Sequence, residues 1–272
     1  MCAEAAKEFF HVFCSRIKHP QHPVTTSHYF NKFFSRLDKM HVDDLRGVTA
    51  IAGGSMLHHL VVNSVALGHN QEQRMQALNA DMKEFQSRMR TEHTMPPLRL
   101  ENLSLDGWWM LSGRLIKAAN TRSLKPWLED IANRFFAGHG ELQSSTRKVF
   151  KHMMILERIF YSAGTFLTDE QHAELTASLL ALGRHWQLLR SLYRRQGINA
   201  WQIRPKVHYH QHFAQQAKLI NPRAVQCYAQ ESLIGRMAKL WRMNANGPYS
   251  PLVQETTLLR YWVALEVLVS TY

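Results

Sequence analysis

TDEQHAELTASLLALGRHWQLLRSLYRRQG, residues 168–197, decides the fold. Thr168 is a good helix N-cap, and Gln171 three residues later completes a capping box. Leu175, Leu179, Leu182, Trp186, Leu189 and Tyr193 follow at steps of four, three, four, three and four. That spacing makes one apolar stripe on a long core helix or a coiled-coil-like seam. Gly197 supplies the stop.

Helical spacing recurs on both sides of this segment. Residues 3–18 can bury Phe9, Phe10 and Phe13, and residues 27–40 carry Tyr29, Phe30, Phe33, Phe34 and Leu37. The run 40–67 is the most apolar part of the first third, and its Gly53-Gly54 pair permits a turn or a very close helix approach. Residues 70–92 place Met75, Leu78, Met82, Phe85 and Met89 on one stripe. Residues 104–118, 122–136 and 145–163 read as further amphipathic helices, with Gly138 and Gly140 marking a hinge. Asn221-Pro222 is expected to start a helix running to about Met243, and residues 252–269 form the last one. The expected fold is all-α: an irregular multi-helix bundle, with residues 203–209 as the candidate for one short strand. Residues 1–36 form an N-terminal helical extension to a main region at 37–272.

Composition supports a packed protein. Hydrophobic residues make up 45% of the 272 and charged residues 20%, a globular balance with enough chain for a sizeable core. Lysine and arginine exceed the acids by 33 to 21, a net charge of +12. Such a surplus favours polyanionic partners, nucleic acid first and acidic membrane second, or serves solubility alone. Three widely spaced cysteines, Cys2, Cys14 and Cys227, make neither a disulfide framework nor a CxxC zinc pair. Glu4, Lys7 and Glu8 interrupt any leader core, and no stretch approaches the roughly 20 apolar residues of a membrane span. The expectation is an intracellular protein of nucleus or cytoplasm, with no membrane partner and with oligomerisation open.

Four groups could carry chemistry. Asp38, His41, Asp43 and Asp44 fall within seven residues and could hold a hard cation, or form a polar turn with Asp43 or Asp44 as an N-cap. His208, His210 and His212 alternate and could bind zinc, although no cysteine or carboxylate lies beside them. Glu231 sits among Leu233, Ile234 and Met237, where a carboxylate is catalytic or paired with Arg223 or Arg236. A basic set with interleaved aromatics spans Arg190, Arg194, Arg195, Arg204, Lys206, Arg223, Arg236, Lys239, Trp241 and Arg242. Arg236, Lys239 and Arg242 recur every three residues and could follow phosphates.

The stretches DKMHVDDLRGVTAIAGGSMLHHLV (38–61) and IRPKVHYHQHFAQQAKLINPRAVQCYAQESLIGRMAKL (203–240) together resemble the C-terminal region of CACTA-type transposases. The pair, separated by a long helical spacer, is also similar to mobile-element-derived reading frames abundant in dinoflagellate genomes. The resemblance covers about residues 37–268, carried mainly by Pro205, Lys206, His208, Asn221, Pro222, Arg223 and Glu231. In that family three acids on an RNase H-like core hold two divalent metals, about 4 Å apart, for DNA strand cleavage and transfer. By resemblance Asp38 matches the second acid and Glu231 the third. The family's first acid belongs to an early strand of the core, far upstream of the region that this sequence resembles.

The resemblance therefore implies a truncated or degenerate transposase remnant. It would bind nucleic acid through Arg204, Lys206, Arg223, Arg236, Lys239 and Arg242, without independent catalysis. No cofactor is expected, and Mg²⁺ or Mn²⁺ at Asp38 and Glu231 only if the chain is catalytic. The alternatives are a helical protein-interaction scaffold and a metal-dependent nuclease completed by a partner chain.

Overall fold

The computed structural model describes residues 37–90, 95–112 and 117–228. From Asp38 onward the described residues belong to one compact unit. It opens with a π-helical turn, Met40–Asp44, closed by the Leu45 amide donating to Met40 O at 2.8 Å. Then follow α1 (Val48–Asn63), α2 (Gln71–Met89), α3 (Ala118–Phe135), α4 (Glu141–Ser162), α5 (Asp169–Arg195), α6 (Pro205–Gln211) and α7 (Phe213–Gln216). The class is all-α, and among the described residues no helix is long and apolar enough to cross a membrane.

The helix α5 forms where its sequence says. Thr168 Oγ1 accepts from the Gln171 amide, and the Gln171 side chain accepts in return from the Thr168 amide. All six seam residues, Leu175 to Tyr193, are buried. Gly197 ends the helix at φ +71°, a conformation that costs glycine nothing. α4 lies against α5 in the most extensive helix contact of the fold, and α3 packs on α4.

α1 is the central helix. Val48 through Leu57 are all buried, as are Leu60 and Val61, so the helix is apolar all round and enclosed by its neighbours. Gly54 allows the closest of these approaches. A Cβ there would stand 2.2 Å from Met110 Cα, so only glycine fits. The same crossing is fixed by the Leu111 amide donating to Ala50 O at 2.8 Å. Ser55 Oγ donates to Trp109 O at 3.1 Å and accepts from the Trp201 amide at 2.9 Å. Trp201 in turn meets Trp186 of α5 edge to face, and Trp186 Nε1 donates to Trp201 O.

Three local expectations are corrected. Residues 104–112 are not helical. Ser104–Leu105 and Trp108–Trp109 make a two-residue antiparallel hairpin, because Asp106 and Gly107 take positive φ (51° and 74°), the turn that Asp-Gly favours. The short strand expected at 203–209 is absent. Pro205 starts α6, where its fixed φ suits a first helical position, and Val207 and His210, three apart, are both buried. Asn221-Pro222 starts only the 3₁₀ turn Pro222–Val225. The buried Asn221 side chain is a lock: its Nδ2 donates to Phe160 O and Gly164 O, at 3.0 and 2.9 Å. The helices expected at 3–18 and 252–269, and the continuation toward Met243, lie outside the described residues, as does all but the end of the one at 27–40.

Candidate functional site

The first place where chemistry-bearing side chains converge is the buried end of α3 and α4 beneath the π-helical turn. Lys39 and Lys125 are 0% and 2% exposed. Lys125 Nζ lies 2.9 Å from Asp43 Oδ2, 2.8 Å from Asp44 Oδ1 and 3.0 Å from Glu157 Oε2. Lys39 Nζ lies 2.9 Å from Glu157 Oε2, 3.4 Å from Asp43 and 3.7 Å from Asp44. The Tyr228 hydroxyl donates to Asp44 Oδ2 at 2.7 Å, and His210 Nε2 stands 3.6 Å from Asp43 Oδ1.

Burial alone would lower the Lys125 ammonium, yet the flanking carboxylates raise it well above its ordinary value. Burial pushes Asp43 up, but Lys125 and Lys39 outweigh it and hold the carboxyl below the usual range. Burial drives the His210 ring down to about 4, so it is neutral at physiological pH. Asp43 and Asp44 are thus neither helix caps nor open cation ligands. Two ammonium groups already stand where a hard cation would, and the N-cap of α1 is Gly47, with no side-chain cap.

Asp38 lies apart from that cluster in its bonding. Its Oδ1 accepts from the Met40 amide at 2.9 Å and from the Cys227 amide at 3.2 Å. Its Oδ2 is 2.5 Å from both His41 Nδ1 and Cys227 Sγ, and Cys227 Sγ is 3.3 Å from His41 Nδ1. Burial pushes the Asp38 carboxyl up, but these hydrogen bonds outweigh it and leave it lowered, hence ionised. The partners at Asp38 are therefore an imidazole and a thiol. Glu231, the other acid assigned by resemblance, lies outside the described residues, as do Arg236, Lys239 and Arg242.

Of the remaining basic candidates, two are committed to structure. Lys206 Nζ donates to Leu45 O at 2.5 Å, and burial lowers its pKa. Arg223 stacks on the Tyr161 ring at 4.2 Å and donates to Tyr161 O. Arg204 Nε donates to Gln202. His208 and His212 face each other with Nε2 atoms 3.0 Å apart, but among the described residues no third ligand joins them, and His210 belongs to the buried cluster.

A basic face that sequence reasoning only half found runs along the α4–α5 hairpin. Lys148, Lys151 and Arg184 are exposed. His152 and His185 lie among them, lowered by burial and then by these cations. Further along α5, Arg190 and Arg194 join Gln187, Ser191 and the exposed Ile203 around a shallow groove of about 290 Å³. Among the described residues none of Lys148, Arg184, Arg190, Arg194 or Arg195 has an ion-pair partner. The available signal was an absence of acids. No Asp or Glu occurs from residue 175 to 230, a stretch with eight Lys and Arg, nor from 142 to 156.

No protein-family model matches this chain, and no curated protein or solved structure matches it.

Proposed function

We propose that the chain is a transposon-derived helical protein, a transposase remnant that binds nucleic acid through the α4–α5 basic face and does not cleave DNA on its own. The observation that carries the binding is the charge of Lys148, Arg184, Arg190, Arg194 and Arg195, none of which has an ion-pair partner among the described residues. Arg184 to Arg195 spans eleven residues of one helix, about 16 Å at 1.5 Å per residue, a length that meets several phosphates of one strand. The groove at Arg190 and Arg194 adds an apolar wall at Ile203, where a base or sugar can rest beside the phosphate contacts. The similarity of residues 37–268 to the late region of CACTA-type transposases supports the origin. Saturation of Asp43, Asp44 and Glu157 by Lys39 and Lys125 supports a structural, not catalytic, use of those acids.

Salt dependence of DNA binding tests the reading. Replacing Lys148, Lys151, Arg184 and Arg194 together by alanine should weaken binding and reduce the log–log salt slope by about 3 to 4, at about 0.9 per lost phosphate contact. An unchanged slope would move the binding face elsewhere, and a triple alanine variant of Arg236, Lys239 and Arg242 would then be the next measurement. Absence of binding even at about 50 mM salt would favour a protein-interaction scaffold. Mg²⁺- or Mn²⁺-dependent nicking by the chain alone would overturn the non-catalytic part.

A further inference from the structure

Three side chains from two distant parts of the chain converge on one point: Asp38, His41 and, 186 residues after His41, Cys227. One ligand atom from each lies within 4.8 Å of the other two. All three residues are partly exposed. We propose that they form a binding site for one borderline transition-metal ion of the zinc class.

The donor set selects the ion. Mg²⁺ and Ca²⁺ take oxygen ligands, and only one of these three donors is a carboxylate. Thiolate with imidazole suits zinc and its neighbours. The arrangement also argues against a nucleophilic triad. There, acid and nucleophile address opposite nitrogens of the histidine ring. In this protein Asp38 Oδ2 and Cys227 Sγ both address Nδ1, at 2.5 and 3.3 Å, so the three atoms ring a common centre.

The metric fit is near. Zinc–ligand bonds of 2.0–2.3 Å at tetrahedral angles place ligand atoms about 3.3–3.6 Å apart. The His41–Cys227 edge already measures 3.3 Å, and the two edges at Asp38 measure 2.5 Å. An opening of about 1 Å at those edges is within reach of small side-chain rotations in partly exposed residues. The other oxygen of Asp38 is held by the Met40 and Cys227 amides, the kind of outer support that orients a ligating carboxylate. Binding would release the Cys227 thiol proton to solvent, and among the described residues no fourth ligand joins the three. The site is separate from the basic face of α4 and α5, and neither proposal depends on the other.

Metal titration of the full, tag-free chain decides it. The probes are Zn²⁺, in competition with a chromophoric chelator, and Co²⁺, by absorption. The expected result is one tight ion per chain, a thiolate-to-cobalt charge-transfer band, and visible bands of four-coordinate strength. Cys227→Ser should abolish the charge-transfer band and weaken Zn²⁺ binding at least tenfold. His41→Gln should weaken binding as much while keeping the band at saturating cobalt. His208→Ala with His212→Ala should leave both readouts unchanged. Native circular dichroism of His41→Gln keeps the test decisive should Cys227→Ser fail to fold. Zn²⁺ binding that survives both Cys227→Ser and His41→Gln, a cobalt spectrum without the charge-transfer band, or loss of binding in the His208/His212 pair would overturn the assignment.

Discussion

Lys39 and Lys125 have almost no solvent contact, while Lys148 and Lys151 stand in the open on α4. The buried pair meets three carboxylates within 3.7 Å, whereas among the described residues Lys148 forms no ion pair and Lys151 feels Glu129 only at longer range. The same residue type therefore does opposite work. In the core, charge is consumed internally and fixes how the π-helical turn, α3 and α4 meet. On the surface, at Lys148, it is left without an ion pair, which makes it available to a partner. A count of lysines cannot separate the two uses; the position of the acids can.

The largest effect should come from breaking the buried side of that contrast. Lys125→Ala leaves Asp43, Asp44 and Glu157 with Lys39 as their one remaining lysine, and should cost about 3–5 kcal/mol in a urea melt. Lys148→Ala should stay within about 0.5 kcal/mol, as surface changes do. Similar losses in the two variants would mean that the buried network is not a structural unit.

Acid sharpens the comparison. His210 is ordinarily half-protonated at 6.5, and burial lowers it to about 4, so the folded state prefers the neutral ring. Its contribution to stability is complete above pH 6.5 and is lost as pH falls toward 4, because the unfolded chain takes the proton first. Burial lowers His59 to about 4 as well, so part of the decline is independent of the cluster. His210→Gln should flatten the fall in stability between pH 6.5 and 4 by about 1–3 kcal/mol, read from melts across that range. A variant with the wild-type pH profile would mean that His210 stays solvated.

On α5, where the local signals are strongest, the cap and the core should separate. Thr168→Ala removes one N-cap bond and should cost about 1 kcal/mol, whereas Leu182→Ala in the buried seam should cost about 2–5 kcal/mol. Equal small losses in urea melts would mean that the seam is less tightly packed than its burial indicates.

How much could be read in advance follows the range of the forces. α5 was legible from its cap to its stop because its signals are local: Thr168, Gln171, six apolar residues in step, then Gly197. On α2, Met75, Leu78, Met82 and Phe85 are buried as their spacing required, although Met89, the last residue of the helix, is 55% exposed. The 104–109 hairpin was missed because Trp108, Trp109, Leu111 and Leu115 mimic helical spacing, while the Asp106-Gly107 turn signal is only two residues long. The candidate site was legible in parts. Asp38 and His41 stand out in sequence, but Cys227 is 189 residues from Asp38, and only tertiary structure brings them together. Likewise, nothing local shows that Asp43 and Asp44 would find Lys125, 82 residues from Asp43.

The hydroxyl of Ser55 has a consequence in time. It ties α1 to Trp109, 54 residues later, and to Trp201, 146 residues later. At a synthesis rate of roughly 5–20 residues per second, about 7–30 s separate the emergence of Ser55 from that of Trp201. During that interval the most apolar of the described helices has no complete cover. A nascent chain stalled before Trp201 should therefore expose a sticky helix to chaperones, and its release should coincide with closure of that long-range bond.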